Sequence, residues 1–186
     1  MIRSRPLPRV ACGCVLFFIA LAAGCGGGDD SPTTPIRHPQ DFLPQEIGGM
    51  AADGAVRVAT TTAQLQEIVD GGYQTYTQHG FREVAERNYA GSVGGTPTTL
   101  RARVFDQGSA ANAEALYDDV NVDPGGCSIF EELGDEARIC TGITSLTLQF
   151  RRDIYWIELV MFNTSADARA VLELVARHID GEIQGD

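Results

Sequence analysis

Few side chains of this sequence have the types and spacing that nucleophilic or acid–base chemistry requires. A serine or cysteine hydrolase needs a base beside its nucleophile, and beyond residue 41 only His79 and His178 could serve. His178 falls in the last turn of a predicted helix, where the dipole favours a cation, so we interpret it as structural. His79 falls in a predicted helix-to-strand turn and could line a pocket. The sequence contains no GxSxG elbow and no HExxH helix.

The basic residues exclude further chemistries. All 14 are arginine, so there is neither a phosphate-loop lysine nor a Schiff-base lysine. Two histidines far apart in sequence also disfavour a catalytic zinc site. We therefore expect a non-enzymatic protein without a cofactor.

The densest group of carboxylates lies at residues 118–126. Asp119, Asn121 and Asp123 have the alternate spacing of oxygen ligands in a calcium loop. However, Pro124 stands where an EF-hand has glycine, and Phe130 stands where it has the bidentate glutamate. We favour a solvated acidic loop, and a looser calcium site in a calcium-stabilised surface module is an alternative.

Two further groups could form a site. Glu158 interrupts an apolar strand and, with Asp70 and the Arg101/Arg103 face, is expected to form a polar cluster on the sheet, which we interpret as structural ion pairing. Tyr73 and Tyr76, together with His79, could line a pocket between helices and sheet. Their spacing is equally that of core residues, and we favour the core.

Hydrophobic periodicity predicts the elements that position these residues. Strands are expected at residues 56–59, 81–89, 98–105, 137–140, 145–150 and 154–162, the last being central, with a hairpin turn at residues 152–153. Helices are expected after Thr61 or Thr62, after Ser109, and from Ser165 to just before Gly181, with Gly71 and Gly72 interrupting the first. This pattern indicates an α+β class: one domain with an antiparallel sheet packed against about three helices.

The N-terminal residues resemble a bacterial export signal. Three arginines precede a short apolar run at residues 15–23, and this run is too short to span a membrane. Residues 21–25, LAAGC, resemble a lipobox, in which the cysteine is lipidated and becomes the first residue, although the leucine stands four places before Cys25 instead of three. The alternative is ordinary secretory cleavage that leaves Cys25 as a spare thiol.

We therefore expect a signal peptide at residues 1–24, a Gly/Pro/Thr-rich flexible tether at 25–41 and the folded domain at 42–182. Without the first 24 residues, which hold three basic and no acidic side chains, the net charge falls from −11 to −14. This charge disfavours nucleic acid and anionic headgroups as partners, so the lipid on Cys25 is the expected contact with the membrane. Gly26 resembles an outer-membrane sorting signal, which implies an outer-membrane protein facing the periplasm or the cell surface.

Two cysteines remain in the expected domain. Cys127 and Cys140 form an even pair in an exported chain, a pattern that indicates a disulfide. Two buried free thiols or a redox pair are the alternatives.

Five sequence blocks resemble an uncharacterised family of bacterial exported proteins. They lie at residues 43–49 (LPQEIGG), 68–72 (IVDGG), 76 (Tyr), 80–84 (GFREV) and 105–109 (FDQGS). In that family an aromatic residue usually follows the two glycines of the first block, where this chain has Met50. The resemblance implies an exported protein or lipoprotein and implies no activity.

The leading functional hypothesis is a lipid-anchored cell-envelope domain that binds an envelope protein or a small ligand. A small-molecule carrier or sensor, with a pocket between helices and sheet, is a second hypothesis. The calcium-stabilised module is a third.

Overall fold

The computed structural model describes residues 37–185, so the expected signal peptide, Cys25 and most of the expected tether lie outside the described residues. It shows an α+β fold of one antiparallel sheet with helices on both faces. The strands are β1 (Glu46–Ile47), β2 (Met50–Ala52), β3 (Arg57–Ala59), β4 (Glu83–Val93), β5 (Thr96–Asp106), β6 (Cys127–Ile129), β7 (Glu136–Thr141), β8 (Leu146–Arg152) and β9 (Tyr155–Met161). The helices are a 3-10 turn (Pro39–Phe42), α1 (Thr62–Ile68), α2 (Tyr73–Gln78), α3 (Ala110–Tyr117) and α4 (Ala166–Gln184).

The strands follow the order β1-β2-β4-β5-β9-β8-β7-β6, and β3 also pairs with β4. All these pairings are antiparallel. Strand β9 lies between β5 and β8 and is buried on both faces, which confirms the expected central strand. The strands expected from periodicity are all present, whereas β1, β2 and β6 were not expected.

One face of the sheet packs against α4. Alternate residues of β5, such as Leu100 and Val104, belong to a core cluster that also contains Leu172 and Val175 of the helix. Ser109 and Ser165 cap α3 and α4 as predicted, each accepting a hydrogen bond from a backbone N–H three residues on. The sequence predicts that α4 ends before Gly181, but the helix continues to Gln184. Glycine costs a helix only about 1 kcal/mol relative to alanine, and Ile183 packs against the core.

The opposite face of the sheet carries α1, α2 and α3. Tyr76 of α2 stacks on Phe105 with ring centroids 4.6 Å apart, and both rings meet Trp156 edge to face. Gly71 and Gly72 divide the expected first helix into α1 and α2, because both have positive φ values, 80° and 65°.

Two loops differ from expectation. The β8–β9 hairpin turns at residues 153–154, one position later than predicted, since Arg152 pairs with Tyr155. Residues 37–41, expected in the tether, pack on the domain: Arg37 pairs with Glu182, and the Tyr155 hydroxyl donates to the Arg37 carbonyl oxygen at 2.8 Å. The folded part therefore begins before residue 42.

The hairpin of β1 and β2 turns on Gly48 and Gly49. Ile47 pairs with Met50 across this two-residue turn, and the glycines have φ values of 59° and 77°. Positive φ at both central residues is the geometry of a type I′ turn. The turn lies against α4, since a Cβ on Gly48 would be 3.0 Å from Val171 Cγ1.

Candidate functional site

A row of polar side chains crosses the face of the sheet that carries α1, α2 and α3. We call it the polar ladder. Its members are paired directly in register on six strands: Arg57, Glu86, Arg103, Glu158, Gln149 and Arg138. Because cross-strand partners on one face lie about 5 Å apart, each side chain reaches the next.

The first half of the ladder consists of ion pairs. Arg57 Nη1 lies 2.8 Å from Glu86 Oε1, and Arg103 Nε lies 2.7 Å from Glu86 Oε2. Arg103 Nη1 then contacts Glu158 Oε1 at 3.4 Å. Glu86 and Arg103 are buried, so mutual pairing offsets the desolvation of these charges.

The second half of the ladder continues from Glu158 of β9 to Gln149 of β8 and Arg138 of β7. Gln149 donates to Glu158 Oε2 at 3.3 Å, and Arg138 Nε donates to Gln149 Oε1 at 2.8 Å. The Arg138 guanidinium also lies 4.4 Å from the centre of the Tyr117 ring and 3.6 Å from Asp123 Oδ2. The ladder is thus joined to the end of α3 and to the loop that follows.

The ladder also fixes the end of α1. Arg103 Nη2 donates to the Ile68 carbonyl oxygen at 2.6 Å, and Arg57 donates to the Glu67 carbonyl oxygen. The last carbonyls of a helix have no partner within it, and cations are favoured beside them. These two arginines therefore hold the C-terminal end of α1 against the sheet.

A cavity of about 520 Å³, which we call the α1 cleft, opens where α1 meets the ladder. Its lining residues come from α1 and its C-terminal loop, from β3 to β5, and from the end of β9: Arg57, Gln66, Glu67, Ile68, Asp70, Glu86, Asn88, Arg101, Arg103 and Phe162. Phe162 is half exposed at this site. The volume falls in the range of small-molecule sites, about 300–1,000 Å³.

Arg101 has the least satisfied guanidinium of the cleft. It stands next to the ladder, two residues before Arg103, and its side chain is 33% exposed. Its Nη2 lies 3.5 Å from Glu158 Oε1, longer than a good charged hydrogen bond. Its Nε is buried and has no hydrogen-bond partner among residues 37–185.

The polar cluster expected around Glu158 is therefore largely present. Glu158 contacts Arg101 and Arg103, and Asp70 lines the same cleft, although no ion pair within 4.0 Å joins Asp70 to an arginine in the part of the chain the structure describes. Sequence reasoning missed the remaining ladder residues Arg57, Glu86, Gln149 and Arg138. Glu86 could have been recognised from the sequence, because it is a charged residue in a predicted strand whose positions 84, 85 and 89 are apolar.

The residues of the suggested tyrosine pocket have other surroundings. Tyr76 is buried in its aromatic stack, where burial raises the pKa of its hydroxyl, and Tyr73 packs against the same cluster. His79 ends α2, and its Nε2 lies 2.8 Å from Asp119 Oδ2. None of the three lines the α1 cleft or the cavity bordered by Tyr117 and residues 129–137.

The three calcium candidates are occupied with one another and with neighbouring groups. Asp119 accepts hydrogen bonds from His79 and from the backbone and side chain of Asn121, and the His79 bond is the main cause of a lowered Asp119 pKa. Asp123 accepts from the Gly125 N–H and faces Arg138. Within residues 37–185 no three metal-ligating side chains of His, Cys, Asp or Glu converge.

The cysteines form the predicted disulfide. Cys127 of β6 and Cys140 of β7 stand directly opposite each other, with Cα atoms 4.1 Å apart. Beside this hairpin lies a second cavity of about 430 Å³, lined by Tyr117 and residues 129–137. Two of its carboxylates, Asp135 and Glu136, are already paired with Arg151.

Two of the sequence blocks, residues 80–84 and 105–109, meet where β4 begins and β5 ends. The Arg82 N–H donates to the Asp106 carbonyl oxygen at 2.9 Å, and the Gly108 N–H donates to the Asp106 side chain at 2.6 Å. Gly80 and Gly108 have positive φ values, and a Cβ on Gly80 would collide with the side chain of Asn112. These blocks therefore join the start of β4 to the end of β5.

Among residues 37–185 we find no helix with both the length and the apolar character of a membrane span. Comparison of the chain with models of protein families, with curated proteins and with solved structures finds no match. What the α1 cleft can bind must therefore follow from its own side chains.

Proposed function

We propose that this chain is an exported lipoprotein whose domain binds a small molecule in the α1 cleft without transforming it. The α1 cleft carries this proposal: it is a cavity of about 520 Å³ between a helix and the sheet, lined by three arginines, and a network of ion pairs holds its walls. Preorganised polar groups on rigid elements are the usual basis of specific ligand binding.

The residues around the cleft favour binding over catalysis. The described residues that line it include no histidine, cysteine, serine or threonine. Of its three carboxylates, Glu67, Asp70 and Glu86, Glu86 is tied to two arginines, so this group is poorly placed to act as a general acid or base.

Attachment to the membrane is the second part of the proposal. Cleavage before Cys25 and lipidation of that cysteine account for the basic, apolar and small residues that precede it. Two or more acyl chains give stable anchoring, and Gly26 favours the outer membrane. The acidic mature chain would contribute no charge attraction to anionic lipid.

The binding site is tested with a panel of neutral, cationic and anionic small molecules added to the isotopically labelled mature chain carrying Cys25→Ser. Amide shifts should converge on residues that line the cleft, such as Ile68 and Asn88. Asn88→Trp should block the exposed floor of the cleft and remove these shifts. Ala170→Trp on α4 is the matched control and should leave them. Ligand shifts that survive in Asn88→Trp would place binding elsewhere.

The anchor is tested by membrane fractionation. Cys25→Ser should release a folded domain into the soluble fraction. Cys12→Ser, in the segment expected to be removed, should leave the protein with the membrane. A Cys25→Ser protein that stayed with the membrane would overturn lipid attachment and would leave the cleft proposal untouched.

A further inference from the structure

The charges around the polar ladder do not balance. Within the described residues, guanidinium nitrogens and carboxylate oxygens lie within 3.5 Å of each other in a connected set: the arginines Arg57, Arg101 and Arg103, and the acids Glu86 and Glu158. Three cations thus meet two anions. Arg101 is the surplus cation, because its only carboxylate, Glu158, also contacts Arg103.

The terminal nitrogens of Arg101, Nη1 and Nη2, are the atoms that a ligand could reach. The side chain lines the cleft and is 33% exposed. Because Nε is buried, a ligand would bind at Nη1 and Nη2, where the nearest carboxylate oxygen lies 3.5 Å from Nη2. A ligand oxyanion at these N–H groups would supply the close acceptor that they lack. Strand β5 is held between β4 and β9, which fixes the backbone from which the guanidinium projects.

The chemistry of the guanidinium selects the ligand. Its planar set of N–H donors matches the two oxygens of a carboxylate or phosphate and forms paired, charge-assisted hydrogen bonds with them. Arg57, whose side chain is 48% exposed, brings a second positive charge to the same cleft. Asn88 and Gln66 line it with neutral amides.

The α1 side of the cleft restricts the remainder of the ligand. Glu67 and Asp70 line this side and would repel a second anionic group while accepting hydrogen bonds from hydroxyl or ammonium groups. Resting on the proposed function, we infer that the α1 cleft binds a small organic acid, with its carboxylate or phosphate oxyanion held by Arg101.

The test compares simple probes on the labelled mature chain carrying Cys25→Ser. The Arg101 Nε–H signal and the Asn88 amide are followed by NMR during titration with acetate, with inorganic phosphate and with acetamide, the neutral counterpart of acetate. Acetate, phosphate or both should move these signals, and whichever binds more tightly identifies the preferred oxyanion. Acetamide should not move them.

Variants connect the binding to Arg101. Arg101→Gln should weaken binding of the anion roughly tenfold or more, since a charged hydrogen bond is lost. Arg101→Lys, which keeps the charge without the planar donors, should recover part of the loss and replaces Arg101→Gln if that variant does not fold. Arg169→Gln, at an exposed arginine of α4, should bind like the parent.

Two results would overturn the inference. The first is that neither anion moves the cleft signals, and the second is that acetamide moves them as acetate does. If other members of the panel still bind in the cleft, the proposed function stands and only the inference that the ligand carries an oxyanion fails. If no compound of the panel moves the cleft signals, both proposals fail.

Discussion

Arg103 Nε lies 2.7 Å from Glu86 Oε2 on the neighbouring strand, and only 3% of the Glu86 side chain is exposed. Glu86 also holds Arg57. Removing the negative charge would leave Arg103 buried without its nearest anion, which is costly because the charge keeps its desolvation penalty.

Glu86→Gln should therefore lower the free energy of unfolding by about 3 kcal/mol, near the lower end of the cost of breaking a buried pair. Urea denaturation measures the loss. Glu173→Gln, in an exposed pair one helical turn from Arg169, is the matched control and should cost only about 0.3–0.5 kcal/mol. Equal losses in the two variants would mean that the ladder does not stabilise the fold.

Gly48 and Gly49 provide a paired test of the β1–β2 turn. Alanine at either position adopts a positive φ, which costs about 1–2 kcal/mol, and thermal unfolding should show both losses. Gly48→Ala should cost more, because its Cβ would lie 3.0 Å from Val171 Cγ1, whereas a Cβ on Gly49 has no atom within 4 Å. The excess should shrink when Val171→Ala is added. If the larger loss of stability in Gly48→Ala persists together with Val171→Ala, the contact with α4 is not the cause of the difference.

The disulfide should stabilise the domain through the unfolded chain. Cys127 and Cys140 are separated by 13 residues, and closing a loop of this length is worth about 3 kcal/mol in the chain-entropy model. Denaturation with and without a reducing agent measures the difference. The double variant Cys127→Ala, Cys140→Ala should be as stable as the reduced parent and insensitive to the reducing agent. A parent protein unaffected by reduction would contradict this prediction.

The bond between His79 and Asp119 predicts a pH dependence. The bond lowers the Asp119 pKa in the folded state. As the pH falls, the Asp119 carboxylate is therefore protonated in the unfolded chain before it is protonated in the folded protein. The resulting stability is fully present above the ordinary aspartate pKa of about 3.9 and is lost as the pH falls through the lowered value.

Carboxyl carbon shifts during an acid titration would locate the Asp119 pKa. His79→Gln should raise it towards the ordinary value and reduce the stability difference between neutral and acid pH. Asn121→Ala keeps the backbone N–H that donates to Asp119 and should raise the pKa less. If His79→Gln leaves the Asp119 pKa unchanged, another group must be its cause.

Much of the fold follows from local patterns in the sequence. Leu100, Ala102 and Val104 alternate along β5, and a serine with a helical run of apolar residues marks the start of α4. The strands that were missed are two or three residues long. Such short segments contain too few residues to show a period, and neighbouring strands rather than their own propensity hold them in place.

The candidate site was only partly predictable for the same reason. Glu158, Arg101 and Arg103 stand out because they are charged residues in strands with buried faces. Arg57 also lies in a predicted strand, but β3 has only three residues, and Arg57 meets Glu86 only through the pairing of two strands. Which side chains become neighbours depends on strand order and alignment, and neither is encoded locally.

The polar ladder has a consequence for the folding of the sheet. A slip of one residue between strands turns the buried face outwards, so the alternation of apolar and polar residues disfavours it. A slip of two residues keeps the apolar face buried, so the alternation does not prevent it. A two-residue slip of β5 along β4 would place Arg103 opposite Val84 or Asn88 instead of Glu86. The same slip along β9 would place it opposite Trp156 or Val160. The alternating charges thus disfavour the misalignments that hydrophobicity alone would permit.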